Sequence, residues 1–583
     1  MRLGLARACS LLVLAACSRA TSGNVNVLAA RVTTLADSVF AARLVFDRGF
    51  GTQAGLAGAD HSGLPDNTPG GIRKRQARAD TLRMAVVAIE PAPLEGRPEA
   101  VLYAMMRESL DAEQQLRVCR AELWGVASYV NGWQAQFTDL AIIQPVGSDT
   151  LRRQALTRAR TIAPWLDQEV VNLREGLRLR YSSPKVIVRN VIGQVNDLLG
   201  TPVRSSPFFS PAIRDTNTAF GNALATVVAG EIAPAMTRYR DFLAGEYLPK
   251  AREALGVTSN PDGAACYAAT VRAFASVAVP PDSVFAQGLV EMARIEGEMR
   301  GIATRSFAGE SLSTLLPRLR SDSQYTFRTS QEIIDSSSAV IGRARREMGK
   351  WFGRVPTADL IIQPYPEFRL RAGAPGQYQA APQDGSRPAI FLINPSDPTH
   401  KPRASVESTA LHEGIPGHHL QTSIANEQRE AHPLIRYSAN SGFSEGWALY
   451  AERLSDEMGV FSSDLSRMGM LGSESFRAAR MVVDAGIHTK GWSREQALAY
   501  LTSHSFMTGK EAAGEIDRYI SWSGQAPSYM IGRNEIMRLR EEARARFGSA
   551  FDIREFHDRV LENGRVPLAL LRTRTRRWIE SQR

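Results

Sequence analysis

The chain has 583 residues, 44% hydrophobic and 22% charged, with 70 Lys and Arg against 60 Asp and Glu and a formal net charge of +10. That length holds one large core or two to three domains, and the composition is that of a globular protein. No run of about 18 uninterrupted apolar residues follows the N-terminus, which argues against a polytopic membrane protein. The basic residues are scattered among acids with no basic tract interleaved with aromatics, which argues against a nucleic-acid partner.

The first segment, MRLGLARACSLLVLAACSRATSGN, places Arg2 and Arg7 before an apolar run from Ala8 to Ala16, then Cys17 and a polar stretch. Charge, length and flanks are those of a secretion signal. Leu14-Ala15-Ala16-Cys17 resembles a bacterial lipobox, a resemblance that implies lipidation of Cys17 as the first mature residue. Ser18 stands where inner-membrane lipoproteins often carry Asp, so the expectation is an outer-membrane anchor facing the periplasm. Residues 1–17 are then a lipoprotein signal peptide, residues 18–28 a tether, and the lipid the only membrane contact. Outside the signal, Cys119 and Cys266 remain; export to an oxidising compartment predicts a disulfide between them.

From Val27 to about Arg48 apolar positions recur at helical spacing, and Gly49 to Arg73 reads as a loop rich in Gly, Pro, Asp and Asn. Helical patterns dominate from Arg75 to Met348. After Trp351 two β-type runs appear, DLIIQPYPEFRLR and RPAIFLINPSD. The second, Arg387 to Asn394, is expected to be an edge strand able to pair with an extended peptide. Helical periodicity then returns over Ser441–Glu457, Gly472–Lys490, Ser493–Thr502, Lys510–Trp522 and Ser528–Phe547. The expected fold is mainly α, with one small β-sheet beside the motif helix. Residues 29–350 form a helical N-terminal region and 351–583 a metal-binding catalytic region, or the two form one continuous large domain.

Between the strands and the later helices lies ALHEGIPGHHLQ, Ala410 to Gln421. His412 and Glu413 open it as in the zinc-binding pattern H-E-x-x-H, but Pro416 occupies the position of the second histidine. On an ideal helix a residue four later lies about 40° round and about 6 Å up, so two side chains can share an ion; His418 is about 240° round and His419 about 10.5 Å up. Neither can share an ion with His412 on such a helix. Pro416 lacks an N–H and clashes with the carbonyl of His412, and Gly414 and Gly417 permit unusual backbone angles. Gly-Ile-Pro-Gly therefore predicts a two-residue bulge that returns His418 to the ligand position, with His419 as the rival. Two imidazoles and a carboxylate suit zinc, one ion. In NSGFSEGWALYAERL, Glu445 is the expected third ligand, on a helix capped at Asn440 or Ser441. Glu452, two turns on, is expected to support a ligand or pair with a cation. Arg477, Arg480, Asp484 and His488 form one stripe at helical spacing. Asp484 is expected to hold His488, His488 to donate to substrate, and Arg477 or Arg480 to bind a substrate carboxylate. His61, His400, His432, His504 and His557 read as surface or packing residues.

HEGIPGHHLQ, GFSEGWALYAERL, FRAARMVVDAGIH, GWSREQA, GQAPSYMIGRNEI and FDIREFHDRVLENGRVPL together resemble the bacterial "domain of unknown function 885" family, grouped with gluzincin-type metallopeptidases. The resemblance covers most of the mature chain and is densest from about Arg387 to Leu571. It implies a zincin-like fold with His412, His418 and Glu445 as metal ligands and Glu413 as general base. It also points to Tyr529, in GQAPSYMIG, as a donor to the developing oxyanion. The expected function is an exported zinc peptidase acting on short peptides. The alternatives are a non-catalytic periplasmic binding or scaffold lipoprotein on the same fold, or a metal-dependent hydrolase of another amide or ester.

Overall fold

Ala29, Val32, Ala36 and Val39 recur at spacings of three and four, and they form the buried stripe of the first helix, Leu5–Phe46. The computed structural model describes residues 5–56, 58–365, 376–381 and 387–581, with side chains from residue 24 onward. The side chain of the lipidation candidate Cys17 lies outside the described residues. Residues 18–28, expected as a tether, are part of this helix. Its stripe packs on helices Pro69–Val87 and Pro98–Leu116 through Leu82, Val86, Met106 and Leu110. The expected loop after it is shorter than read: Thr68 caps the Pro69–Val87 helix by accepting from Gly71 N–H.

Behind these three helices one connected core runs from Val101 to Ile579. It crosses residue 350 without a break: helix Pro281–Ser306 lies along helix Asp464–Lys490, and Phe352 packs on Trp447. The bonded sulfurs of Cys119 and Cys266 close a loop of 147 residues within the front half. The stretch 218–250 is long and apolar enough to cross a bilayer, but Phe220, Leu224, Val227, Ile232, Tyr239 and Tyr247 bury it in this core.

The sheet has three strands, β1 (Leu360–Pro364), β2 (Gly376–Gln379) and β3 (Ala389–Ile393), in the order β1-β3-β2. β3 is parallel to β1 and antiparallel to β2, with Phe391 opposite Ile362 on one side and Tyr378 on the other. The run Arg387 to Asn394 is therefore central and not the edge strand expected. Its unbroken apolar sequence is that of a strand covered on both faces, and four of its five residues are buried. β1 and β2 supply the edges. Residues 366–371 of the first β-type run lie outside the described residues. β2 lies against the motif helix, Arg403–Glu413.

Candidate metal centre

The motif helix stops at Glu413, and a second helix, His418–Glu427, begins at the later histidines. Between them the regular hydrogen-bond ladder is replaced. Gly417 N–H reaches back six residues to Leu411 O at 3.0 Å, and His419 N–H reaches five back to Gly414 O at 3.1 Å. The Ile415–Pro416 peptide bond is cis. A Cβ on Gly417 would lie 2.0 Å from His412 O, so only glycine fits there. The buried indole of Trp447 fixes the bulge from outside by donating to Pro416 O at 3.0 Å.

The bulge turns His418 back toward His412, with ring centroids 4.9 Å apart and planes at 87°. Glu445 meets both from helix Ser441–Glu457, which Asn440 caps by accepting from Phe443 N–H at 2.8 Å. Glu445 Oε2 is 3.7 Å from His412 Nε2 and 3.5 Å from His418 Nε2. These separations exceed the 2.7–3.2 Å of a direct N–H···O hydrogen bond. They match ligand atoms set about 2.0–2.1 Å from one ion at tetrahedral angles, which stand about 3.4 Å apart. One ligand atom from each residue lies within 4.8 Å of the others, and all three belong to one cluster with metal-ligand chemistry. The donor set, two imidazole nitrogens and one carboxylate oxygen, fits zinc.

The surroundings fix how His412 is presented. Its Nδ1–H donates to Glu452 Oε1 at 2.7 Å, and Ser408 Oγ donates to the other Glu452 oxygen. Nε2 is thereby left as the nitrogen facing Glu445 and His418. Burial opposes charge on all of these groups, but their mutual attraction outweighs it. Glu445 is held well below the usual carboxylate range by His412 and His418, Glu452 is lowered chiefly by His412 and then Arg477, and Glu445 and Glu452 push His412 up to about 10.

Glu413, next to His412, points toward the sheet. Its Oε2 accepts from Tyr378 N–H on β2 at 2.8 Å, which positions the carboxylate and commits one of its oxygens. Tyr529 comes from helix Ser528–Phe547, which crosses the Glu445 helix at glycines. A Cβ on Gly532 would lie 1.7 Å from Gly442 O, and one on Gly446 would lie 2.5 Å from the Gly532 backbone. This contact sets Tyr529 one turn from the crossing point beside Glu445. Its ring stacks under the Arg480 guanidinium at 4.6 Å, with Arg477 at 6.0 Å. Arg477 in turn donates to Ser473 Oγ at 3.0 Å.

The chain matches the family described as "Bacterial protein of unknown function (DUF885)" over residues 49–574. The protein belongs to the DUF885 family. Two solved structures, each described as a "putative lipoprotein", resemble it over nearly the whole chain. The one from Colwellia psychrerythraea is 24% identical, with a TM-score of 0.85, covering 95% of this chain and 99% of its own. The one from Shewanella oneidensis, described as of unknown function, is 18% identical, with a TM-score of 0.75, covering 93% and 99%. At these identities the likeness shows the fold. The comparison with curated proteins gives no match.

In this DUF885 protein several expected site residues do other work. His419 is turned away from the His412–His418–Glu445 cluster: its Nε2–H donates to Ala358 O at 3.1 Å, Ser423 lies at Nδ1, and burial holds its pKa down at about 4. His488 has no face to a substrate. It is fully buried, accepts from Val257 N–H at 2.9 Å and donates to Tyr519 O at 3.0 Å, and burial lowers it to about 3. Asp484 does not hold it. Asp484 accepts from Tyr267 OH at 2.6 Å and from Gly524 N–H, and burial pushes it up to about 7. Arg480 is buried and already bonded to Glu515 at 2.9 Å and Tyr519 at 3.2 Å, so its guanidinium is committed to the fold. Tyr378 and Ser408 are the residues that sequence reading missed. Ser408, four residues before His412 on one helix face, carried a signal; Tyr378 acts through a strand register that no local pattern encodes.

Proposed function

We propose that the protein is an exported zinc peptidase, lipid-anchored in the cell envelope through Cys17 and facing the periplasm from the outer membrane by the Ser18 criterion. The observation that supports the reading most is the gathering of His412, His418 and Glu445, whose ligand atoms lie within 4.8 Å of one another, with Glu445 Oε2 3.7 Å and 3.5 Å from the two Nε2 atoms and Glu413 next to His412 in the chain. Zinc held by these three residues would supply a polarised carbonyl and a water of lowered pKa. Glu413, with the oxygen not bonded to Tyr378 N–H, would serve as the base that accepts a proton from the attacking water and passes it to the leaving nitrogen. Tyr529 is the donor assigned to the developing oxyanion. Glu452 and Ser408 hold His412 in the ligating orientation.

The test uses the chain without its first 17 residues. Bound metal is quantified, and cleavage of a peptide library is compared with that of Glu413→Gln. One zinc per chain in both proteins is expected, with turnover lower in the variant by about 10²–10⁴-fold. Zinc binding with no cleavage by the intact chain would favour the scaffold reading, and cleavage unchanged by Glu413→Gln would reject the mechanism.

A further inference from the structure

A cavity of about 520 Å³ opens between the N-terminal helices and the segment that leads into the Glu445 helix. Its wall includes Arg43 and Arg75 from the front of the chain, Asn440 at the cap of the Glu445 helix, and Arg565 from the C-terminal part. The charges on this wall do not balance. Its acids are each engaged: Glu108 by Arg272, Glu113 by Arg117, and Glu122 by Arg120. Arg43, Arg75 and Arg565 form no ion pair among the described residues. The cavity therefore presents uncompensated positive charge.

Arg565 reaches the helix that carries His418. Its Nη2 donates to Thr422 Oγ1 at 3.3 Å and its Nη1 to Ser438 O at 3.3 Å, both neutral acceptors. Thr422 is four residues after His418 on one helix, hence on the same face about 6 Å along. Ser438 lies two residues before the Asn440 cap. The guanidinium thus bridges the His418 helix and the segment that leads into the Glu445 helix, and burial holds its pKa below the usual value. A partly buried guanidinium with no carboxylate of its own is a costly arrangement that a bound anion would relieve.

We infer that Arg565 receives the terminal carboxylate of a peptide, so that this cavity selects substrates by a free C-terminus and the protein is a carboxypeptidase that releases short C-terminal fragments. The inference rests on the peptidase reading for its chemistry, while the carboxylate pocket stands on the cavity alone. An extended peptide advances about 3.5 Å per residue. Thr422, which Arg565 contacts, is one helical turn from His418, so the inference places the scissile bond a few residues upstream of the held carboxylate. Planar, bidentate recognition of a carboxylate is what a guanidinium provides and an ammonium does not.

The experiment measures binding of tripeptides, as free acids and as C-terminal amides, to zinc-loaded Glu413→Gln protein by calorimetry. It is repeated with Arg565→Gln and Arg565→Lys added, and with inorganic phosphate as competitor. The free acid is expected to bind at least about tenfold more tightly than the amide, the size of a lost charge-assisted bond. Arg565→Gln removes the preference, and Arg565→Lys restores part of it at unchanged Tm. Equal binding of acid and amide, or a preference that survives Arg565→Gln, overturns the inference. Phosphate binding more tightly than the peptide also overturns it, in favour of a phosphate site. Cleavage assays separate the two claims. Zinc-dependent cleavage of acids and amides alike would reject the pocket and leave the peptidase reading intact. Acid-selective binding with no cleavage would keep the pocket and reject the peptidase reading.

Discussion

At the scale of single residues, the distinction between His418 and His419 decides the chemistry. Adjacent histidines on a helix point about 100° apart, so the bulge that aims one at Glu445 must aim the other elsewhere, and His419 meets Ala358 O. His418→Gln should abolish stoichiometric zinc binding, whereas His419→Gln should keep it and lower only the Tm; zinc titration with a competing chromophoric chelator reads both. Loss of zinc in both variants would mean that the bulge is not held as described. Glu452 acts one step behind. Glu452→Gln keeps a hydrogen-bond partner for His412 Nδ1 but removes the charge, and such changes weaken metal binding by about 10–100-fold. The clustering of His412, His418 and Glu445 was legible because H-E and a distant acid in a helix are sparse, chemically loaded features. His488 was misread for the converse reason: a histidine and an aspartate at helical spacing signal a pair only if both face the same partner, and here Asp484 turns to Tyr267 and His488 to backbone.

At the scale of elements, Ser441–Glu457, capped by Asn440, was read to the residue, as was Ser528–Phe547, which follows Pro527. The long helix begins at Asp464, capped by Ser463, and not at Gly472. Gly469 and Gly472 look like breakers in sequence, but they mark where this helix is crossed closely: a Cβ on Gly469 would lie 1.8 Å from Ala404 O in the motif helix. The strand order was illegible because a fully apolar run fits a central strand and a buried edge alike. The crossing of the Glu445 and Tyr529 helices gives a prediction at this scale. Gly532→Ala puts a methyl where Gly442 O now lies, so the helices must separate. The expected cost is about 1–3 kcal/mol or more, seen as a lower Tm, together with weaker zinc binding because Glu445 moves with its helix. An unchanged Tm would show that the helices are not in backbone contact.

At the scale of the whole molecule, two devices tie distant parts of the chain into one core. The first is the disulfide. Closing a loop of 147 residues removes denatured-state entropy worth about 5 kcal/mol in the chain-entropy account. Mutating Cys119 and Cys266 together to Ala should lower the Tm without changing zinc stoichiometry, since neither sulfur approaches the ligands.

The second device is His488, which joins the long helix to Val257 of the front half and Tyr519 of the rear. In the folded protein its pKa is lowered from 6.5 to about 3 by burial. A group whose folded pKa lies below its unfolded value stabilises fully above the unfolded pKa and loses that contribution as pH falls toward the folded one. His488 therefore makes the native state less stable as pH drops from about 6.5 to about 3, at roughly 1.4 kcal/mol per pH unit for this one group. Asp484 and Glu169 run the other way, since burial raises each to about 7 and the native state holds their protons while the unfolded chain releases them. The pH dependence of the wild type alone mixes these opposing signs. The comparison with His488→Gln isolates one: glutamine keeps the bond to Tyr519 O but cannot titrate. The variant should be less stable at pH 7.5, and the gap in Tm should narrow steadily between pH 6.5 and 4. A gap that stays constant, or widens, would show that this histidine is not held neutral in the core.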